Sequence, residues 1–358
     1  MISNLANALV ERGFEVTILC TYDLGTPAYT LDPNVQVIYL TALHPNREDF
    51  LFAVRNKKFL RVIREGIYAV KVLLYKRITM KKAIVAIEEG TIISTRHEHS
   101  LLLSKYGSET VNKIAQLHHD HNFQKKLMYE FCHRYQNIDY FILLTDQHTE
   151  EISSRMKRYN THTQCLTIPN FLDFPPLNQQ VSIQNQVISV GRLAKEKGFD
   201  RLIQIWSFIS PHLPGWKMKI VGDGVQKEVL KNLIHKLEIE DSVILTGALS
   251  HEDTLREMQK SRIYAMASYT EAFSLVIAEA QSCGLPVVAF DVRVGPRALI
   301  TNGKDGFLVK DGDLQKFAEK VLSIARDAVL REQFRRAALE SAKKYAKDQV
   351  IDRWMQIL

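Results

Sequence analysis

The sequence predicts an α/β protein built as two doubly wound domains, with parallel sheets that face each other across a cleft. Two observations carry that prediction. Strand and helix patterns alternate from end to end, and the alternation restarts after a turn-rich break near the middle. At 358 residues the chain is long enough for two domains, each with its own core.

The chain opens on an amphipathic helix, with Ile2, Leu5, Ala6 and Leu9 on one face and Gly13 ending it. Short apolar runs then read as strands at 15–20, 35–40, 91–95, 113–117, 140–145 and 165–168, with helical patterns between them. A doubly wound domain ordinarily starts with a strand and a glycine turn ahead of its first helix. Neither is present, so the first strand of the amino-terminal domain is expected to be missing: either the true start lies upstream or this is a shortened product. That strand is central in the usual order, so its loss would leave unpaired backbone in the middle of the sheet.

Residues 169–176, with Pro175 and Pro176 adjacent, forbid regular structure and lead into a polar run. The linker is therefore placed at 171–186, between an amino-terminal domain at 1–170 and a carboxy-terminal domain at 187–345. Strands in the second half read at 187–191, 217–221, 242–246, 263–267, 286–290 and 306–309. The last helix, 346–358, is expected to pack back on the first domain.

Composition restricts the function classes. Hydrophobic residues make up 46% and charged residues 24%, as in soluble globular proteins, and no apolar run reaches the length of a membrane span. The four cysteines form no CxxC pair, which speaks against a zinc site or a disulfide framework. With no signal-peptide pattern at Met1, a cytoplasmic protein is expected, with peripheral attachment to the inner face of the cell membrane as its finer form. The net charge of +7 is concentrated between Arg55 and Lys82, where ten Lys or Arg residues accompany one acid, Glu65. Phe59, Val62, Ile63, Ile67, Val70, Leu73 and Leu74 recur there at helical spacing. The plainer expectation is an outer helix that packs its apolar stripe on a sheet and leaves its basic face in water. The sharper one is attraction to an anionic membrane surface through 55–82. Nucleic acid is not expected, since no binding motif accompanies the charge.

Chemistry concentrates near the end of the chain. Glu271 lies in the loop leaving a strand, and Glu279 about a turn and a half into the next helix. Free amides at that helix mouth suit a diphosphate, and the carboxylate further along can accept hydrogen bonds from sugar hydroxyls. A nucleotide-sugar pocket follows. On the loop after the strand at 187–191, Arg192 and Lys197 stand between Gly191 and Gly198 and can neutralise charge on a departing diphosphate. The plain alternative is that both are solvated loop charges.

These residues resemble a family. Val190-Gly191-Arg192-Leu193 with Glu196-Lys197-Gly198, Val221-Gly222-Asp223-Gly224, the stretch from Glu271 to Asp291, Gly295-Pro296 and Asp305-Gly306-Phe307 are together similar to the retaining glycosyltransferases of family 4, which have the GT-B architecture. Bacterial capsular and exopolysaccharide members are the most similar. The resemblance implies a donor diphosphate clamped by Arg192 and Lys197, a ribose held by Glu279, and a transferred sugar touched by Glu271. It also implies donor contacts from Gly191, Gly222, Gly224, Phe273, Ser274 and Leu275, and a cleft histidine near the reacting centre at His118. The neighbours His119 and His121 leave open which histidine lines the cleft, and Ala298 stands where related chains usually carry Glu.

A metal held by the three histidines and Asp120 is the weaker reading of that segment, and Asp311-Gly312-Asp313 reads as a turn capping a helix. No cofactor or catalytic metal is implied. The implied reaction moves a sugar from a UDP- or GDP-sugar to a saccharide or lipid-linked saccharide in cell-surface polysaccharide synthesis, with anomeric configuration kept. The alternatives are a nucleotide-sugar epimerase or a sugar phosphorylase of the same architecture, or a catalytically inactive, truncated nucleotide-binding or partner protein.

Overall fold

The computed structural model describes residues 2–23, 25, 30–120, 124–172 and 181–358. The first domain contributes strands β1 (Thr17–Cys20), β2 (Gln36–Tyr39), β3 (Thr91–Ser94), β4 (Asn112–Gln116), β5 (Tyr140–Leu143) and β6 (Gln164–Thr167). Its helices are α1 (Ile2–Glu11), α2 (Arg47–Arg55), α3 (Phe59–Val85), α4 (His97–Tyr106), α5 (Lys125–Arg134) and α6 (Asp146–Met156). The second domain holds β7 (Gln186–Val190), β8 (Lys217–Val221), β9 (Val243–Gly247), β10 (Ile263–Met266), β11 (Val287–Asp291) and β12 (Gly306–Lys310). Helices α7 (Phe199–Ile209), α8 (Lys227–Lys236), α9 (His251–Lys260), α10 (Leu275–Ser282), α11 (Pro296–Leu299), α12 (Leu314–Arg326), α13 (Ala328–Ala342) and α14 (Lys347–Met355) complete the chain. Each predicted strand lies within two residues of an observed one.

The second domain is one parallel sheet in the order β12-β11-β10-β7-β8-β9, so the strand order reverses between β7 and β10. In sheets of this kind ligands bind beyond the carboxyl ends of the strands at that reversal. Successive residues of a strand face opposite sides, and both sides are covered. Val187, Val288 and Phe290 enter the core that holds Trp206, while Ile188, Val287 and Ala289 enter the one that holds Tyr264 and Ile277. Burying a side chain of this size contributes roughly 1.5–3 kcal/mol.

The first domain is arranged differently. Its strands β3-β4-β5-β6 form a parallel sheet of four, whereas β1 and β2 pair only with each other. Every residue of β1 and β2 is at least partly exposed, in contrast to the buried residues 113–116 of β4.

Two stretches of chain join the domains. The first includes residues 173–180, among them Pro175 and Pro176 of the expected linker, which lie outside the described residues. The second lies at Tyr345 and Ala346. The two run side by side: Leu172 donates its backbone N–H to the Tyr345 carbonyl at 2.8 Å and forms a parallel bridge with Ala346. Helix α14 then joins the first domain's core, where Val350, Ile351 and Trp354 pack with Leu5, Leu9, Ile114 and Ile142. Arg12 ties it down through Asp348 and Asp352 at 3.1 and 3.0 Å.

The long helix α3 corrects one expectation. Its buried side is formed by Glu65, Val72, Met80 and Ile84, and Met80 and Ile84 pack into the first domain's core. The stripe read as core-facing points away from the protein: Phe59, Ile63, Ile67, Val70, Leu73 and Leu74 are all exposed. The helix has two apolar sectors, and the domain takes the one that holds Val72, Met80 and Ile84.

Candidate functional site at the carboxyl ends of the second sheet

The loops leaving β7, β8 and β10 meet backbone to backbone, and glycines permit it. A Cβ on Gly198 would stand 1.9 Å from the Ala267 carbonyl oxygen, and one on Gly222 would stand 1.9 Å from that of Gly191. Both glycines have positive φ, +63° and +143°. Gly222 and Gly224, expected as donor contacts, are thus required first by the fold. The Gly222–Gly224 turn also holds Asp223, which accepts from the Gly224 amide at 2.7 Å and pairs with Lys227 at 2.8 Å.

Arg201, buried on α7, pins the end of β10. Its Nε donates to the Ala267 carbonyl, another guanidinium nitrogen donates to the Ser268 carbonyl, and a third pairs with Asp311 at 2.7 Å. Its guanidinium also lies 4.0 Å from the centre of the Tyr269 ring and 4.2 Å from that of Phe290. The Tyr269 N–H in turn donates to the Glu196 carbonyl at 2.8 Å, binding the β10 loop to the β7 loop. Asp311 therefore serves Arg201, while Asp313 accepts from the Lys316 N–H at 2.9 Å and caps α12.

Among the expected site residues, the structure brings Lys197 and Glu271 together. The Lys197 ammonium donates to Glu271 Oε1 at 2.7 Å, and Ser268 Oγ donates to the same oxygen at 2.8 Å. Gly295 packs against the Glu271 side chain so closely that a Cβ there would come within 2.9 Å of it. Arg192 stands on the same loop but is largely exposed and pairs with Glu196. Gly191 donates its N–H to the Val221 carbonyl at 3.0 Å and has no positive φ.

Beyond Glu271 the chain passes Phe273 and Ser274 into α10. Ser274 sits at φ +68°, a conformation unusual for a residue with a side chain, and such strain gathers at functional sites. Phe273 is buried against Tyr345, and Ser274 Oγ is buried against the Met266 sulfur at 3.1 Å. Their side chains are therefore core. What this segment can offer is backbone, the first amides of α10 from Leu275 onward. Glu279, further along α10, has its carboxyl pKa raised by burial, with His251 Nδ1 4.0 Å away as a partial counter-charge.

His118 lies two residues past the end of β4, in a loop rather than on the strand. Its Nε2 is buried without a hydrogen-bond partner among the described residues, while His119 is exposed. Burial, with the neighbouring His119 adding to it, pushes the His118 pKa down to about 4, so it is neutral at pH 7. His121 lies outside the described residues. Among the described residues no group of three His, Cys, Asp or Glu side chains is placed to hold a metal ion.

Sequence reasoning missed the bridge beside His118. Arg293, in the loop after β11, reaches across to the first domain and holds Asp120 with Nε at 3.0 Å and Glu151 at 2.7 Å. His148 adds a contact to Asp120 at 3.3 Å, and Gln147 donates to the Arg293 carbonyl at 3.0 Å. The signal was faint, one arginine between a strand and Gly295. A cavity of about 390 Å³ lies next to it between the domains, bounded by Thr145, Gln147, Thr167, Phe273, Gly295 and Tyr345. Neither Arg192, Lys197, Glu271 nor Glu279 lines that cavity.

Known proteins agree with this architecture. Residues 177–341 match the family described as Glycosyl transferases group 1. Over 99% of the chain and 94% of the relative, 26% of residues are identical to a protein of Haemophilus influenzae named an uncharacterized glycosyltransferase. The amylovoran biosynthesis glycosyltransferase AmsD of Erwinia amylovora is 34% identical over 49% of the chain, which spans 48% of AmsD's length. Among solved structures, sucrose-phosphate synthase from Thermosynechococcus elongatus superposes with a TM-score of 0.76 at 18% identity, covering 99% of this chain and 91% of that one. The pneumococcal O-GlcNAc transferase GtfA, solved with UDP and GlcNAc, gives 0.68 at 23% identity over 79% of this chain and 58% of its own. The fold is therefore GT-B.

Proposed function

We propose that this chain is a GT-B glycosyltransferase that moves a sugar from a nucleotide diphosphate to a saccharide or lipid-linked saccharide with retention of configuration, in the cytoplasm. The match of residues 177–341 to the group 1 glycosyl transferases and the likeness to a protein of exopolysaccharide synthesis support the reading. A UDP- or GDP-sugar is the donor, and no metal or cofactor takes part. One observation carries the reading: Lys197 and Glu271, 74 positions apart in sequence, meet at the mouth of α10 where the strand order reverses.

In this reading the donor diphosphate lies between Arg192, Lys197 and the first amides of α10, and competes with Glu196 and Glu271 for the two cations. Glu271, released from Lys197, turns to the hydroxyls of the transferred sugar, and Glu279 accepts from the ribose hydroxyls. The bond from the anomeric carbon to the diphosphate oxygen breaks while a bond to the acceptor oxygen forms on the same face. The acceptor's proton passes to the departing diphosphate. Neutral His118 lines the first domain's side of the cleft as a hydrogen-bonding group. The chain's contribution is position and charge stabilisation. GtfA, bound to UDP in its crystal, supports a uridine donor by analogy of fold.

Thermal shift against UDP, GDP and their sugars tests donor binding, because a ligand stabilises the folded state once its concentration passes its Kd. The stabilisation is expected to weaken strongly in Lys197→Ala, and kcat to fall by about 10²–10³, the loss typical of a removed transition-state partner. NMR of the product's anomeric signal reads the stereochemistry. A full shift in Lys197→Ala, or an inverted product, would refute the proposal. Turnover without acceptor would indicate an epimerase.

A further inference from the structure

We propose that α3 is a membrane-docking helix that lies in the surface of an anionic bilayer with its exposed apolar stripe inserted among the lipids. Phe59, Ile63, Ile67, Val70, Leu74 and Ile78 follow one another at spacings of three and four, so they align along a single edge. At 27 residues the helix runs about 40 Å. Leu60, Phe59 and Ile67 are 82%, 74% and 68% exposed, values that no packed helix face shows. Val72, Met80 and Ile84, outside the stripe, are buried and hold α3 to the domain, while the stripe stays exposed along its length and faces away from the protein.

The charge around the stripe selects the occupant. Ten Lys or Arg residues lie between 55 and 82. The only acid among them, Glu65, is buried, is paired with Arg64 at 2.8 Å and accepts a hydrogen bond from the Asn46 amide at 2.8 Å. On a helical projection Arg77 falls at one margin of the stripe, and Lys71 and Lys82 at the other. All three are exposed, as interfacial helices require of the cations that reach headgroups. The short helix α2 extends the surface: Leu51, Phe52 and Val54 are exposed, and the Phe52 ring has Lys58 and Arg61 at 5.4 and 5.3 Å. No helix among the described residues is long and apolar enough to cross a membrane, so α3 lies on the bilayer rather than through it. A straight convex edge with strong positive charge fits a fluid anionic plane. A second copy of the chain would have to place the same cations against themselves.

Flotation of the full chain with vesicles tests this independently of sugar transfer. Vesicles of phosphatidylcholine with roughly a third phosphatidylglycerol are expected to carry the protein, and pure phosphatidylcholine vesicles at least tenfold less. Lys71→Glu with Arg77→Glu and Lys82→Glu is expected to lower partitioning on the order of a hundredfold, since each cation near the surface contributes about fivefold. Ile67→Glu with Leu74→Glu should abolish it, and the indole emission of an Ile67→Trp protein should shift blue on anionic vesicles only. Unchanged circular dichroism and melting temperature show that each variant folds. Equal flotation with both vesicle types, an unshifted emission from the Ile67→Trp protein, or a dimer that Ile67→Glu disperses without any vesicle binding would overturn the proposal.

Discussion

The second domain is built around close backbone contact, and the first around side chains. In the second, Gly198 and Gly222 stand where any Cβ would strike a carbonyl oxygen at 1.9 Å, and the six strands form one uninterrupted sheet. In the first, Gly13, Gly25 and Gly90 have positive φ but meet nothing within 4 Å, and the sheet is in two pieces. Tight loops at strand ends fix where a phosphate can lie. A divided sheet whose left-handed glycines stand in the open does not impose such a position, and there the site is assembled by side chains such as those around Arg293.

The contrast makes graded predictions. Gly198→Ala should destabilise the second domain most, by about 3–5 kcal/mol, adding a left-handed backbone penalty to a clash with no room to relax. Gly90→Ala, equally left-handed but unobstructed, should lose only about 1–2 kcal/mol by urea denaturation. Equal losses would mean that the backbone contact at Ala267 gives way easily. Arg293→Ala removes the arginine paired with a nearly buried Asp120, which keeps its contact with His148, and is expected to lose about 3 kcal/mol, read as separation of the two domains' unfolding transitions. The last prediction is a matter of pH. His118 has a folded pKa near 4, below its ordinary value of 6.5, so the unfolded chain binds more protons between those limits. Its contribution to stability is therefore fully present above about pH 6.5 and declines as the pH falls toward 4. His118→Gln should flatten that part of the curve in urea melts at pH 7 and pH 5, and an unchanged slope would place the titration elsewhere.

The same contrast explains what could be read without coordinates. Strands such as β7 and β11 are short apolar runs bounded by glycine, and buried on both faces they tolerate little else, so their positions were legible. The meeting of Lys197 with Glu271 was legible as motif but not as an ion pair, because the partner depends on how the β10 loop folds over. Arg201 and Arg293 were invisible: each acts on groups about 66 to 173 positions away, and nothing local marks it. The orientation of α3 was misread for a simple reason. Periodicity locates an apolar sector, but a helix carrying two of them does not say which one the domain takes.

Leu172 and Ala346 sit side by side where the chain passes between its halves. The two passages are stitched to each other there, by that bridge and by the Leu172–Tyr345 hydrogen bond, so neither can shift without drawing the other along. Under the function proposed above, a donor on the second domain and an acceptor on the first would meet across this tie.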